Sequence, residues 1–156
     1  MPDVLSRDEL LAALEAERTA LVALLPQFSD EQWYSASRGD GWTAHDIAAH
    51  VADASYGLAR LALGEAQPVL PVDPATGWMD PSGYNDQRRQ QNRTLSREKL
   101  ATRMASAFEH ARRAIESVPD YDAPGPYGPT HTKGQWLQRI VDHAREHHQE
   151  LTELLG

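Results

Sequence analysis

The chain has 156 residues, 40% of them hydrophobic, and 15 Lys and Arg against 23 Asp and Glu give a net charge of −8 at neutral pH with histidine uncharged. That length fits one compact domain over residues 1–156, able to bury about two thirds of the surface its unfolded form exposes. The absence of cysteine excludes a disulfide framework, Cys-ligated zinc or iron–sulfur sites and any chemistry of the protein's own thiol, and the negative balance argues against a nucleic acid partner.

The first ten residues carry acids where a signal peptide has a basic start, and the longest unbroken apolar run, Ala20 to Leu25, is far too short to cross a bilayer. A soluble cytoplasmic protein without a membrane partner is expected.

In chain order, a first helix opens at Ser6, where Ser6-x-x-Glu9 reads as a capping box. It carries Leu10, Leu14, Leu21 and Leu24/Leu25 on one face until Pro26. A second box, Ser29-x-x-Gln32, opens a short turn that brings in Trp33. The second long helix starts with Thr43 as N-cap and Asp46 in its first turn, runs to about Gly64, and has the stripe Ile47, His50/Val51, Ala54, Gly57/Leu58, Leu61. A third starts near Pro81, bends around Thr94-Leu95-Ser96 and continues on Leu100, Met104, Ala107/Phe108, Ala111 and Ile115 to Val118. The last is opened by Thr132-x-x-Gln135 and carries Trp136, Ile140, His143, His147, Leu151 and Leu154.

Eight of the ten prolines and six of the ten glycines fall in the stretches Gly64–Gly83 and Pro119–Gly134, which read as loops. No segment alternates as a half-buried strand does, so the expectation is an all-α, four-helix bundle. The loop of about 19 residues after the second helix is long enough to cross the whole bundle, which would make the second and third helices parallel neighbours. Both Pro/Gly-rich loops are either plain connections or walls of a pocket for a small-molecule substrate.

Three of the seven histidines stand where leucines would be expected: His50 in the second helix, and His143 and His147 in the last. Histidines at i and i+4 stack on one helix face, so two imidazoles can converge on one ion, and a third from a facing helix completes a set that keeps positions open. Such a set suits Zn²⁺, Ni²⁺ or Fe²⁺. The alternative is a polar core in which the rings bond one another or backbone carbonyls, although a bundle offers few free carbonyls and each unsatisfied imidazole is costly. The remaining histidines, His45, His110, His131 and His148, read as surface or rim residues.

His143-Ala144-Arg145-Glu146-His147 also spells H-x-x-E-H, the inverted zinc-peptidase pattern with glutamate as general base. An i,i+4 histidine pair on a charged helix produces it readily by chance, and a small bundle has no sheet to hold an extended peptide. Glu150, three residues past His147, is read as the acceptor of an imidazole N–H, with a fourth ligand or a solvated acid as alternatives. Glu146 and Glu150 are the candidate acid/base groups of a hydrolytic site. No nucleophile elbow, phosphate loop or dinucleotide fingerprint is present. The third helix is locally basic, from Arg88 to Arg113. Its arginines are expected to pair with the acidic first and last helices, or in one or two cases to hold a substrate carboxylate.

Gly41-Trp42-Thr43-Ala44-His45-Asp46-Ile47-Ala48-Ala49-His50, Tyr84-Asn85, and Asp142-His143-x-x-x-His147 together resemble the DinB/YfiT-like superfamily of metalloenzymes, related to the mycothiol-dependent maleylpyruvate isomerases. The resemblance spans essentially the whole chain. It implies an up-down-down-up bundle, a homodimer, and one divalent metal ion on His50, His143 and His147. It also implies activation of an external low-molecular-weight thiol in an S-transferase reaction. A metal-dependent hydrolase acting on an amide or ester is the second enzymatic reading, and a non-enzymatic metal- or small-ligand-binding stress protein is the rival. Isomerase-type relatives commonly have glutamate where this chain has His143, which points to a three-histidine branch, and often glutamine where it has Glu150.

Overall fold

The computed structural model describes residues 4–156; Asp3, part of the acidic start, lies outside the described residues. The chain is mostly helical: α1 (Arg7–Leu24), α2 (Asp30–Ser35), α3 (Ala44–Ala62), α4 (Ser82–Gln91), α5 (Arg97–Ser117) and α6 (Lys133–Leu155). Four of the helix starts are closed by reciprocal capping boxes, Ser6 with Glu9, Ser29 with Gln32, Thr43 with Asp46 and Thr132 with Gln135. In each, two otherwise orphaned backbone N–H groups are satisfied. No helix among the described residues is long and apolar enough to cross a membrane.

The four long helices, α1, α3, α5 and α6, bury one leucine-, isoleucine- and alanine-rich core that includes Leu10, Leu21, Ile47, Val51, Leu100, Ile115, Leu137 and Ile140. Both α1 and α3 pack against α5 and α6. α3 and α5 run the same way, since His45 meets the carbonyl of Asn92 just ahead of α5, and Glu65 beyond α3 meets Arg113 near the end of α5. α1 runs with α6, pairing Leu5 with Gln138 and Glu17 with Arg145. α3 runs against α6, since Arg38 ahead of α3 meets Glu150 near the end of α6 while His50, farther along, meets His143 in the middle of α6.

Two elements differ from the sequence expectation. The third predicted helix does not merely bend but breaks into α4 and α5. A 3-10 turn, Asn92–Thr94, is followed by extended Leu95 before Ser96 caps α5 through Lys99 N–H. The break holds because Asn92, 4% exposed, is fastened to α3: its side-chain N–H donates to Asp53 at 2.8 Å, and Arg88 reaches the same carboxylate. Secondly, the segment read as loop before α6 holds a two-stranded antiparallel ribbon, β1 (Pro124–Gly125) with β2 (Gly128–Thr132). Its prolines and glycines leave no side-chain alternation to read, so backbone pairing across the turn, with Gly128 at φ 104°, defines it.

The basic stretch also pairs differently from the expectation. Arg88 and Arg89 bind Asp53 and Asp46 of α3, Arg112 binds Glu109 and Glu116 of its own helix, and Arg113 binds Glu65. α4 lies on α3, so the nearest acids belong to α3 rather than to the first and last helices.

Candidate metal centre

His50 comes from the middle of α3, and His143 and His147 from successive turns of α6. His143 and His147 are 8% and 9% exposed, and one nitrogen of each of the three rings lies within 4.8 Å of the others. The His143 Nε2 atom is 2.9 Å from His50 Nε2 and 3.1 Å from His147 Nε2. A ring nitrogen has a single in-plane direction, filled by either a proton or a lone pair, so His143 Nε2 cannot make good hydrogen bonds to both neighbours. Three nitrogens bound at ~2.1 Å to one ion would stand about 3.0–3.4 Å apart, close to the two spacings seen. The three converging imidazoles are therefore compatible with a divalent ion.

Electrostatics supply the right protonation state. Burial, then the neighbouring His147 and His50 and the charge of Arg139, push His143 down to about 2. Burial, then His147, push His50 down to about 4. Both imidazoles are neutral at pH 7, with a lone pair to offer.

The outer nitrogens are treated unequally. His147 Nδ1 donates to Glu150 Oε2 at 2.7 Å, and Arg38 Nη1 holds that same oxygen at 2.9 Å. Arg38 also lies over the Trp42 ring, as Arg89 does, and the Trp42 ring meets His50 edge-on at 5.7 Å. The loop between α2 and α3 thus braces two of the three histidines. His143 Nδ1 is buried without a hydrogen-bond partner among the described residues. Arg38 carried no signal in the sequence, because its contact with Glu150 spans most of the chain and follows no helical period.

The cluster opens into a cavity of about 600 Å³. α3 and α6 supply one side of it. The segment 64–83 supplies Leu70, Trp78 and Met79, and Tyr127 comes from the turn between β1 and β2. Both Pro/Gly-rich stretches are therefore walls of the cavity. Trp78 meets the Trp136 ring edge-on at 4.7 Å, and Tyr127 stacks on Trp136 at 5.5 Å.

The two carboxylates singled out from the sequence stand apart. Glu150 is engaged by His147 and Arg38; Glu146 lines the cavity, with its side chain 58% exposed and 3.7 Å from Arg139. The other histidines do not join the cluster. His45, read as a rim residue, is instead 2% exposed, wedged between the Trp33 indole N–H at 3.0 Å and the Asn92 carbonyl at 3.0 Å. Its burial follows from α2 and the Asn92 turn closing over it, two contacts that periodicity does not report. His131 stacks on Trp78 at 3.6 Å, His148 pairs with Glu17, and His110 bonds the Ser106 carbonyl.

The model of the DinB superfamily matches residues 13–151, a span that contains all three clustered histidines. The chain belongs to the DinB superfamily. No curated protein and no solved structure matches it. In this DinB protein Trp42 and His50 from the first of the motif-like stretches meet His143 and His147 from the last at the cluster.

Proposed function

We propose that this DinB protein is a metal-dependent enzyme, with one zinc, nickel or iron ion on His50, His143 and His147 and its substrate in the adjoining cavity. The observation that carries this reading is the convergence of three Nε2 atoms, at 2.9 and 3.1 Å, at the wall of that cavity. When bound, the ion would lower the pKa of a coordinated thiol or water and so supply a nucleophile at neutral pH. The chain has no cysteine, so a thiol must be an external low-molecular-weight one, and the reaction an S-transfer to an electrophile. Neutral imidazoles leave the ion's charge undiminished. Glu150, held by Arg38, fixes the tautomer and orientation of His147, while Trp78, Trp136 and Tyr127 form an aromatic side of the cavity. In a hydrolase, Glu146 would be the group in reach of the cavity mouth to move a proton. The long helices are read as the up-down-down-up bundle of the DinB/YfiT type, a reading supported by the parallel run of α3 with α5 and of α1 with α6.

One observation favours a second reading, a non-enzymatic metal or small-ligand binder. Neither carboxylate is poised and free: Glu150 is held by two partners, and Glu146 is largely in solvent. Elemental mass spectrometry on untagged protein tests the common premise. About one ion per chain is expected, lost in the His143→Ala, His147→Ala double variant; no metal after reconstitution with zinc, nickel or iron overturns it. Turnover then separates the two readings, since a binder saturates at one equivalent and an enzyme consumes excess substrate.

A further inference from the structure

The three histidines take up only one end of the cavity. Its wall follows α3 from His50 to Leu61, eleven residues and therefore about 16 Å of helix. That is several times the space an ion and one coordinated atom need. Beyond the histidines the lining turns apolar, with the half-buried Leu61, Leu70, Trp78 and Met79, and Val69 among them is 82% exposed. A small polar substrate would leave this surface wet, whereas an apolar body would cover it.

The charges on the wall specify the other end of such a ligand. Two acids, Asp53 and Glu146, face three arginines, Arg60, Arg88 and Arg139. Asp53 is held by Arg88 at 3.1 and 3.2 Å and by Asn92 at 2.8 Å. Glu146 is 3.7 Å from Arg139. Arg60 is left with no carboxylate in ion-pair reach among the described residues. Its guanidinium lies 5.5 Å over the Tyr56 ring and gives one N–H to the Glu65 carbonyl at 3.2 Å, which leaves most of its five donors free. In a chain with 23 acids and a net charge of −8, an arginine beside an apolar cavity without an acid partner is a place where an incoming anion meets attraction rather than repulsion.

We propose that the cavity binds an apolar organic acid, its body on Trp78, Leu61 and Leu70 and its carboxylate on Arg60, some ten residues of helix from the histidine cluster. This names the substrate class for the site proposed above. The assignment of the reacting end to the metal rests on that reading, whereas the carboxylate end does not.

Isothermal titration calorimetry with octanoate and 3-phenylpropanoate, each against its neutral alcohol, tests the idea on metal-free and on zinc-treated protein. The acids should bind about tenfold tighter than the alcohols. Arg60→Gln should erase that preference while leaving alcohol binding unchanged, and Arg60→Lys should keep most of it. Arg60→Gln is checked by its melting curve, and the lysine variant reports on the charge alone should glutamine disturb the helix end. Equal binding of acid and alcohol, no binding of either, or a preference that survives Arg60→Gln overturns the proposal. Failure of zinc to bind while the Arg60-dependent preference persists in metal-free protein overturns the metal reading and leaves this one standing.

Discussion

His147 and Glu150 form a dyad in which the ring Nδ1 donates to the carboxylate at 2.7 Å, with Arg38 donating to the same carboxylate oxygen at 2.9 Å. The dyad aims Nε2 of His147 at the other two rings, so its loss should be felt in metal affinity. Glu150→Ala is expected to weaken zinc binding by about 10- to 100-fold. Glu150→Gln should cost less, because an amide oxygen still accepts from Nδ1–H although the pair with Arg38 is lost. Competition titration against a chromogenic chelator reads both; unchanged affinity in the alanine variant would show that the dyad does not orient the ligand.

Metal binding should also appear as stability. An ion that binds only the folded state at a hundred times its dissociation constant adds about 2.7 kcal/mol. For a domain of this size that corresponds to a melting temperature about 5–10 °C higher than in chelator. Circular dichroism melts with and without zinc measure it, and the His143→Ala, His147→Ala variant should show no zinc-dependent shift.

In metal-free protein the same histidines make stability depend on pH. His50 and His143 are held near 4 and near 2 by burial and mutual repulsion, whereas in the unfolded chain both titrate near 6.5. Below about 6.5 the unfolded state therefore takes up protons that the folded state refuses. Stability is full above that pH and falls as pH drops, by at most ~1.4 kcal/mol per unit for each histidine. Urea unfolding between pH 7.5 and 5 should show this slope in wild type and a flatter one in the His50→Gln, His143→Gln variant. Other titrating groups are common to both proteins and cancel in the comparison. Equal slopes would mean that the rings protonate freely in the fold.

The sequence made the helix starts and the histidine cluster legible for one reason, that both are local or periodic. Ser6, Ser29, Thr43 and Thr132 bond within their own first turns, and the spacing of His143 and His147 puts both on one face without reference to any other element. What it hid depends on contacts between distant segments. His45 is buried only because α2 and Asn92 close over it, Arg38 matters only because Glu150 ends up beside it, and the arginines of α4 find acids on α3 that no pattern pairs with them. The Pro/Gly-rich stretches read in the sequence as connections or as pocket walls, and nothing in them marks an aromatic surface. Trp78, Tyr127 and Trp136 come from three separate stretches and meet only in the folded chain.

Asp53 should be the residue on which the position of α4 depends. It accepts from Arg88 twice and from Asn92, and Asn92 in turn accepts from Arg103 at 3.1 Å. Asp53→Ala leaves a largely buried amide and a guanidinium without their acceptor, a loss of about 2–3 kcal/mol. The consequence should be local as well as global. Hydrogen exchange is expected to speed up across residues 82–91, which carry Tyr84 and Arg88 to the cavity, before it does so in the middle of α3. A uniform rise over the whole chain would mean that α4 is not separately latched.

Gly125 tests the aromatic wall from behind. A Cβ at this position would collide with Cδ1 of Trp136, stand 2.5 Å from its Nε1 and lie 2.7 Å from the His131 carbonyl oxygen. The carbonyl belongs to β2 and cannot swing aside, and Trp136 is 1% exposed with Trp78 and Tyr127 against its ring. Gly125→Ala must therefore push the indole toward the cavity or part β1 from β2, at a cost of about 1–3 kcal/mol. If the indole moves, the bulk of a ligand body is excluded while the histidines, on other turns of α6, keep their geometry. The expected result is weaker binding of 3-phenylpropanoate with zinc affinity unchanged, read by calorimetry and chelator competition on the same preparation. Parallel loss of both would instead tie the ribbon to the histidine cluster through α6.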